Sequence, residues 1–338
     1  MKWLKNWRRL AGWVLAVAIL IFLGATLADT WGKVTASGFQ FQFNIPLLAV
    51  SLLMLVVGRG FAVEAWRRIL LALGHRITFR FSFYTWFISN LTRYVPGNIW
   101  QVATMMVMVE QQGVTKVNAL LSQAVYTAIA LSVTALYGLT LLPIARDYLP
   151  LAALLFLALI IFFALPPVFR LMLVASTYLM RRIRKNASIE PPATLLPSFW
   201  HGLIPPLCSC LMWTINGTAF YLFICSITNV PLQALPQFIA MNAAAYFIGY
   251  ISFITPSGLG FREASLAFFL APYFPAPVAI ALSLATRLWS TAGEMLGVII
   301  AILGVPQGKI QNSEFRIQNS QAVVSPLPEN EEPRGPLS

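Results

Sequence analysis

Charged side chains are scarce in this chain: Asp, Glu, Lys and Arg make up 10% of its 338 residues, whereas hydrophobic types make up 58%. A typical soluble domain has about 25% charged residues, so this composition excludes an ordinary water-soluble fold. The mean hydropathy of +0.74 agrees with that exclusion. Several apolar runs reach the roughly 20 residues that a spanning α-helix needs, and ten-residue strands of alternating polarity are not seen. The sequence therefore predicts an all-α, polytopic membrane protein.

Histidine and cysteine are also rare, with two and three residues. They do not have the spacing of a metal site, and no P-loop is present, so no cofactor is expected. An intramembrane serine protease would need a histidine base after Ser257, but His75 and His201 both precede it. We therefore expect no enzyme, and no reaction of Ser257 with a serine-directed probe. The cysteines lie in or beside one apolar run, where they are interpreted as small packing residues.

Acidic residues are fewer than basic ones, which gives a net charge of +12. A nucleic-acid-binding protein would present its cations on one continuous solvated face, but here they form short clusters between apolar runs. That pattern follows the positive-inside rule, with anionic lipid headgroups as partners, so no nucleic acid is expected. The clusters predicted to be cytoplasmic in a plasma membrane are the amino terminus with Lys2–Arg9, Arg59–Arg80 and Arg181–Lys185.

Hydropathy predicts about six full spans and two apolar segments that are broken by Pro and Gly. The spans are Ala11–Ala28, Ile45–Phe61, Val117–Leu142, the Pro-interrupted run Pro150–Met180, Leu203–Ile227 and Pro277–Gly304. The broken segments are Phe81–Val109, interrupted at Arg93–Gly97, and Leu235–Ala271, interrupted at Thr255–Gly260. Residues 1–305 are thus predicted to form a membrane domain, and the polar residues 306–338 a disordered cytoplasmic tail.

The charge counts predict how the broken segments lie. If Phe81–Val109 enters and leaves on the cytoplasmic side, all three basic clusters are cytoplasmic; if it crosses, Arg181–Lys185 lies outside. We therefore predict a re-entrant hairpin there, and a second one that starts from the external side. Two opposed re-entrant segments are typical of an inverted repeat. The alternative for the second is a full span, because Leu235–Thr255 is long enough to cross alone.

Five charged residues at predicted membrane depth are the first candidates for a functional site, because a charge in lipid is costly. They are Arg93, Arg262, Glu263, Arg287 and Glu294. Arg287 and Glu294 lie two turns apart on one helix, about 10 Å in rise, so each is expected to face another segment. Arg93 and Arg262 flank the two breaks, where guanidinium groups and exposed backbone N–H groups suit a phosphate.

Alternatives to a functional site stay open for these residues. The charges could form internal ion pairs that only fix helix packing, such as Glu263 with Arg287. The two breaks could be ordinary kinks whose freed carbonyls are satisfied by neighbouring helices. Four polar residues in the apolar segments are interpreted as interhelical hydrogen-bonding groups: Gln123, Tyr126, Asn216 and Asn242.

The two breaks together resemble the lysylphosphatidylglycerol synthase transmembrane-region family, which includes the flippase-like half of multiple peptide resistance factors. The first motif is RYVPGNIWQ, from Arg93 to Gln101, and the second is PSGLGFRE, from Pro256 to Glu263. The resemblance covers the hydrophobic body from Leu10 to Leu303. It implies a bacterial or archaeal plasma-membrane protein that moves, or helps to move, a polar lipid between leaflets.

The resemblance also assigns residues to the two motifs. The matching positions are Pro96, Gly97, Gln101, Pro256, Gly258, Gly260, Arg262 and Glu263. Many relatives have Gly and Glu where this chain has Trp100 and Gln101, which puts proton or ion coupling through that position in doubt. The bifunctional relatives carry a soluble aminoacyl-transferase domain, but a short polar tail follows Gly304 here. Synthesis of aminoacylated lipid by this chain alone is therefore not expected.

The sequence thus predicts a flippase-like translocator of an anionic or zwitterionic lipid. Arg93 and Arg262 would receive the phosphate, Glu263 and Glu294 would counter the arginines or a cationic headgroup, and Arg287 would bridge between them. The alternative is a non-transporting membrane subunit that scaffolds or regulates a lipid-modifying enzyme. A homo-oligomer and a complex with such an enzyme are both compatible with the sequence.

Overall fold

The regular structure of the described part of the chain is helical. The computed structural model describes residue 25 and residues 32–36, 38–39, 41–92, 100–141, 149–183, 199–252, 258 and 260–304. The main helices are α1 Ile45–Ala72, α2 Phe79–Leu91, α3 Trp100–Glu110, α4 Lys116–Leu139, α5 Leu149–Ala164, α6 Pro166–Ile183, α7 Phe199–Cys225, α8 Leu235–Ile251, α9 Phe261–Leu270 and α10 Ala276–Gly304. The predicted span Ala11–Ala28, apart from Ala25, and the tail from 306 lie outside these residues.

Five of these helices are long and apolar enough to cross a membrane. Within the described residues they are Ile45–Ala72, Lys116–Leu139, His201–Cys225, Leu232–Ile251 and Ala276–Gly304. A sixth is obtained if α5 and α6, which meet at a bend of 66°, count as one span. The bend follows from Pro166 and Pro167, which cannot donate backbone hydrogen bonds to the preceding turn. The all-α, polytopic membrane fold is therefore confirmed, and the Pro-interrupted run Pro150–Met180 consists of two helices that meet at the prolines.

Helix α1 extends well beyond the end predicted at Phe61. It starts at an N-cap, because the Asn44 side chain accepts a hydrogen bond from the Leu47 N–H at 3.0 Å. It then continues to Ala72 through several charged residues. Hydropathy falls there, but the charges pair within the helix, since Arg67 and Arg68 both contact Glu64.

Contacts of α1 with α7 and α10 show how these three helices are oriented relative to one another. The backbone N–H groups of Gln42 and Asn44 donate to carbonyls of Ile227 and Ser226, each at 2.8 Å, so α1 begins where α7 ends. These two helices are antiparallel. Helix α10 runs in the same direction as α1, because Ser51 accepts from Trp289 at 3.0 Å and, one turn further along both helices, Leu55 packs on Gly293.

The first broken segment consists of α2 and α3, which pack against each other. With 13 and 11 residues they are about 20 and 17 Å long, too short to cross a hydrocarbon core of about 30 Å. Gln101 donates to Asn90 at 2.6 Å, so the helix ends beside the break meet. At the other end, Asn118 donates to His75 at 2.7 Å and joins the residues that precede α2 to the start of α4. The segment therefore starts and finishes in one place, as predicted for a hairpin.

The second broken segment consists of α8 and α9, and it also returns to its starting level. The ring of Phe238, near the start of α8, lies 5.2 Å from that of Tyr273, just after α9. Phe39 lies 6.1 Å from Phe274, so this segment starts near the beginning of α1, whereas the first one follows its end. The two segments thus start at opposite ends of α1. They are unequal, because α8 with the turn before it is long enough to cross. Which membrane face each segment opens to stays a prediction.

The base of the first broken segment is expected to be sensitive to pH. Burial lowers the pKa of His75 below its ordinary value, so the folded protein favours the neutral imidazole that accepts from Asn118. As the pH falls through about 6.5, the unfolded chain binds this proton first, and stability must fall. We expect a lower melting temperature at pH 5.5 than at pH 7.5. The variant His75→Asn should show a smaller difference in melting temperature between these two pH values. The control variant His201→Asn keeps His75 and should therefore keep its contribution to that difference.

Candidate functional site

Helix α10 carries two buried charges, and each one pairs with a different helix. Arg287 Nη1 lies 3.6 Å from Oε1 of Glu263 on α9, and Glu294 Oε1 lies 2.9 Å from Nη2 of Arg59 on α1. The Glu294 side chain is 3% exposed, and those of Arg287 and Glu263 are each 9% exposed. The prediction that Arg287 and Glu294 face other segments is confirmed. The ion pair that the sequence offered as a packing alternative, Glu263 with Arg287, is also present.

Glu263 uses its two carboxylate oxygens differently. Oε2 accepts a hydrogen bond from the backbone N–H of Gly260 at 2.7 Å and so fixes the first turn of α9. Oε1 faces Arg287, but 3.6 Å is too long for a hydrogen bond, and this oxygen has no hydrogen-bond partner among the described residues. A buried carboxylate oxygen therefore keeps unused accepting capacity beside a buried guanidinium.

The turn between α8 and α9 depends on glycine. Gly258 has φ of +68° and Gly260 has φ of +84°, in the region that L-residues with a side chain disfavour. Gly258 also lies directly against the backbone of Gly249, so an added Cβ would overlap the Gly249 carbonyl. Gly249 in turn packs on Arg262. The end of α8 and the start of α9 are thus held in close backbone contact.

Arg262 points to a different helix from its neighbour Glu263. Its guanidinium carbon lies over the ring of Tyr246 on α8, 5.8 Å from the centroid, which is a cation–π distance. The residue is half-buried. The first turn of α9 therefore directs a cation toward α8 and an anion toward α10.

Helix α10 also contacts the first broken segment. Gly297 lies against the ring of Phe87 on α2, and only a residue without a side chain fits there. From Arg287 to Gly297 the helix rises about 15 Å. Within that distance it contacts α9 of the second broken segment, then α1, then α2 of the first. The junction of the two segments is therefore built on α10.

The other predicted site residues fall into two groups. Gln101 lies at the start of α3, where its side chain donates to Asn90. Four residues lie outside the described part of the chain: Arg93, Pro96, Gly97 and Pro256. Their predicted roles stay predictions.

Arg59 is the site residue that sequence reasoning missed. Hydropathy predicts Arg59 to be one of the cytoplasmic cations, because the apolar run ends near Phe61. The structure places it within α1, paired with Glu294. The signal that could have found it was the carboxylate of Glu294, which needed a cation from another helix.

The described residues contain no group of three or more His, Cys, Asp or Glu side chains that could hold a metal ion. Cys208 is buried, and Cys210 and Cys225 are half-buried. All three are free thiols. They pack in or at the end of α7, as the sequence predicted.

These features define a class: a polytopic α-helical membrane protein with two broken segments and buried ion pairs between its helices. Comparison with known families narrows that class. The family model for the lysylphosphatidylglycerol synthase TM region matches residues 9–296, so the chain belongs to that family. It is therefore a lipid-related membrane protein. No curated protein and no solved structure matches the chain.

Proposed function

We propose that this chain is a flippase-like translocator, which moves an anionic or zwitterionic lipid between the leaflets of the plasma membrane and is not itself an enzyme. The observation that carries the proposal is the junction on α10. There, two broken segments that start at opposite ends of α1 meet the same helix, beside buried charges. Broken helices of this kind line substrate sites in transporters. The membrane side of the amino terminus, proposed to be cytoplasmic, follows from the positive-inside rule.

On the proposed path, the phosphate of a lipid moves from the membrane–water interface into the bundle and contacts arginine side chains on the way, so it is not exposed to hydrocarbon without a cation. Arg262 is half-buried over Tyr246 and offers a planar guanidinium that matches phosphate geometry. Arg93 is proposed as its counterpart at the first break. The carboxylates of Glu263 and Glu294 balance the arginines and would counter a cationic headgroup, and Arg287 bridges between the carboxylate of Glu263 and the passing phosphate.

The buried pairs support a functional role better than a purely structural one. Desolvation offsets most of the attraction in a buried ion pair, and apolar side chains of similar size would often stabilise the bundle as well. Two such pairs on one helix are therefore poorly explained by stability alone. Guanidinium groups that already face carboxylates can exchange them for phosphate with little change in net charge.

Replacement of Arg262 by alanine tests the proposal. Loss of a charge-assisted contact of about 1.5–3 kcal/mol should lower the rate of lipid exchange roughly 10-fold or more. Exchange is measured in proteoliposomes as the dithionite quenching of fluorescent lipids across several headgroup classes. Arg80→Ala, at an exposed arginine near the start of α2, is the matched control and should exchange lipid at the wild-type rate.

The same assay separates translocation from scaffolding. If Arg262→Ala exchanges lipid as fast as the wild type, the site assignment is wrong. If the purified wild type exchanges no lipid but copurifies with a stoichiometric lipid-modifying enzyme, the chain is a scaffold and the proposed function is wrong.

A further inference from the structure

Three tyrosines from two helices lie together beside Arg59. They are Tyr126 on α4 and Tyr246 and Tyr250 on α8. Asn118 and Ser122 of α4 contact, in turn, His75 just after α1 and Trp66 of α1, so the next turn of α4, which carries Tyr126, runs toward Arg59. Helix α4 also packs against α8, where the rings of Tyr246 and Tyr250 stack at 6.1 Å. Arg262 of α9 lies over the ring of Tyr246, so a second arginine, from a different helix, contacts this group. We call these three residues the tyrosine group.

The guanidinium of Arg59 is only partly used by its ion pair. Nη2 contacts Glu294 at 2.9 Å, whereas Nε is buried and has no hydrogen-bond partner in the part of the chain that the structure describes. Arg67, two turns further along α1, shows the complete arrangement: its Nε and Nη2 donate to the two oxygens of Glu64, each at 2.7 Å. The edge of Arg59 that carries Nε and Nη2 could also make a bidentate pair, but only Nη2 has an acceptor.

A second buried donor without an acceptor lies next to the tyrosine group. The indole N–H of Trp213 on α7 has no hydrogen-bond partner among the described residues, and the residue is 4% exposed. Its ring lies 4.9 Å from that of Tyr246. Leaving a buried donor unpaired costs about 1–3 kcal/mol, so an unpaired donor on Trp213 beside Tyr246 and another on Arg59 favour a ligand that brings acceptors. Phosphate oxygens are strong acceptors and also suit the guanidinium.

We infer that Arg59, with the tyrosine group and Trp213, forms a second phosphate-binding position, and that Glu294 is the counter-ion that the phosphate displaces. The inference rests on the proposed function, since it identifies the phosphate as that of a lipid in transit. The phosphate would contact Arg262 first, pass the tyrosine group and then take the free edge of Arg59. Glu294 holds the guanidinium in place when no phosphate is bound.

Displacement predicts opposite effects for the two members of one ion pair. Arg59→Gln removes the binding group, so affinity for phosphate should fall at least 10-fold. Glu294→Gln removes the competing carboxylate, so affinity should rise about 3- to 10-fold, and such a change corresponds to about 0.7–1.4 kcal/mol. A pair that only fixes packing would give losses in both variants.

The test is a calorimetric titration of the purified full chain in detergent with dihexanoyl phosphatidylglycerol, and separately with inorganic phosphate. Opposite changes for Arg59→Gln and Glu294→Gln in the lipid titration support the inference. If the opposite changes occur with inorganic phosphate and the lipid does not bind, the lipid as source is wrong. Arg68→Gln is the matched control, because Arg68 also pairs with a carboxylate on α1 but lies outside the tyrosine group.

Two arrangements keep the result decisive. If Arg59→Gln does not fold, Arg59→Lys retains the charge without the bidentate edge and should still weaken binding, while Glu294→Gln should still strengthen it. Unchanged affinity in both overturns the inference. Lipid exchange by the wild type is measured independently. If the wild type exchanges lipid but the Arg59 variants bind phosphate normally, the proposed function stands and this binding site is wrong. If the wild type does not exchange lipid, the proposed function is wrong, and the phosphate titration alone decides whether the site exists.

Discussion

Gly258→Ala is expected to abolish lipid exchange and to destabilise the protein strongly, whereas Gly260→Ala is expected to be mild. Both glycines have positive φ, and such sparsely populated backbone conformations cost an alanine about 1–3 kcal/mol. Only at Gly258 would the new Cβ also overlap backbone, namely the carbonyl of Gly249, whereas among the described residues no atom beyond the chain neighbours lies within 4 Å of a Cβ added at Gly260. A long side chain could change its rotamer to relieve such an overlap, but a backbone carbonyl cannot. The Gly258 variant must therefore separate α8 from α9 and displace Arg262.

Thermal unfolding in detergent and lipid exchange in proteoliposomes check this pair of variants. Gly260→Ala should lose stability by about 1–3 kcal/mol, as expected from the strained backbone alone, and should retain most of its exchange. Equal melting temperatures and equal exchange rates for the two variants would show that close contact between α8 and the turn is not required.

Arg287→Met is expected to destabilise the bundle by about 3–5 kcal/mol, because it leaves the buried carboxylate of Glu263 without its cation. The double variant with Glu263→Gln should regain most of that loss. A glutamine at position 263 can still accept the hydrogen bond from Gly260 that fixes the start of α9, and it carries no charge. The unfolding free energies of the two single variants and the double variant form a cycle that measures the coupling.

Lipid exchange by the double variant then separates structure from function. If the pair serves translocation, the double variant should be stable but slow. Full stability together with the wild-type exchange rate would mean that Arg287 and Glu263 only join α10 to α9. A single Arg287→Met variant as stable as the wild type would contradict the buried pair itself.

Local features of the sequence were enough to predict most of the helices and the division of each broken segment into two helices. Apolar runs indicate where helices lie, and Pro and Gly indicate where they stop. The prediction was wrong at the end of α1, which continues past Phe61 because Arg67 and Arg68 pair with Glu64. The Pro-interrupted run Pro150–Met180 bends at its prolines, which interrupt the backbone hydrogen bonds.

The site was predictable only where helix geometry constrains it. Arg287 and Glu294 are about 10 Å apart along the helix axis, which is too far for a close ion pair. Each side chain is therefore expected to pair with a residue of another segment. Which residue each one meets depends on packing between distant parts of the chain, and Arg59 precedes Glu294 by more than 200 residues. The direction of Arg262 toward Tyr246, and not toward Arg287 and Glu263, likewise depends on how α9 is rotated against α8.

The shared direction of α1 and α10 has a practical consequence for labelling. Because the helices run in parallel, Ala72 and Gly304 lie at the same end of the bundle. A fluorescent protein fused directly after Gly304 would therefore lie on the same membrane side as the loop that carries Arg76. One such tag reports the orientation of both broken segments, since the first starts beside that loop and the second starts at the other end of α1.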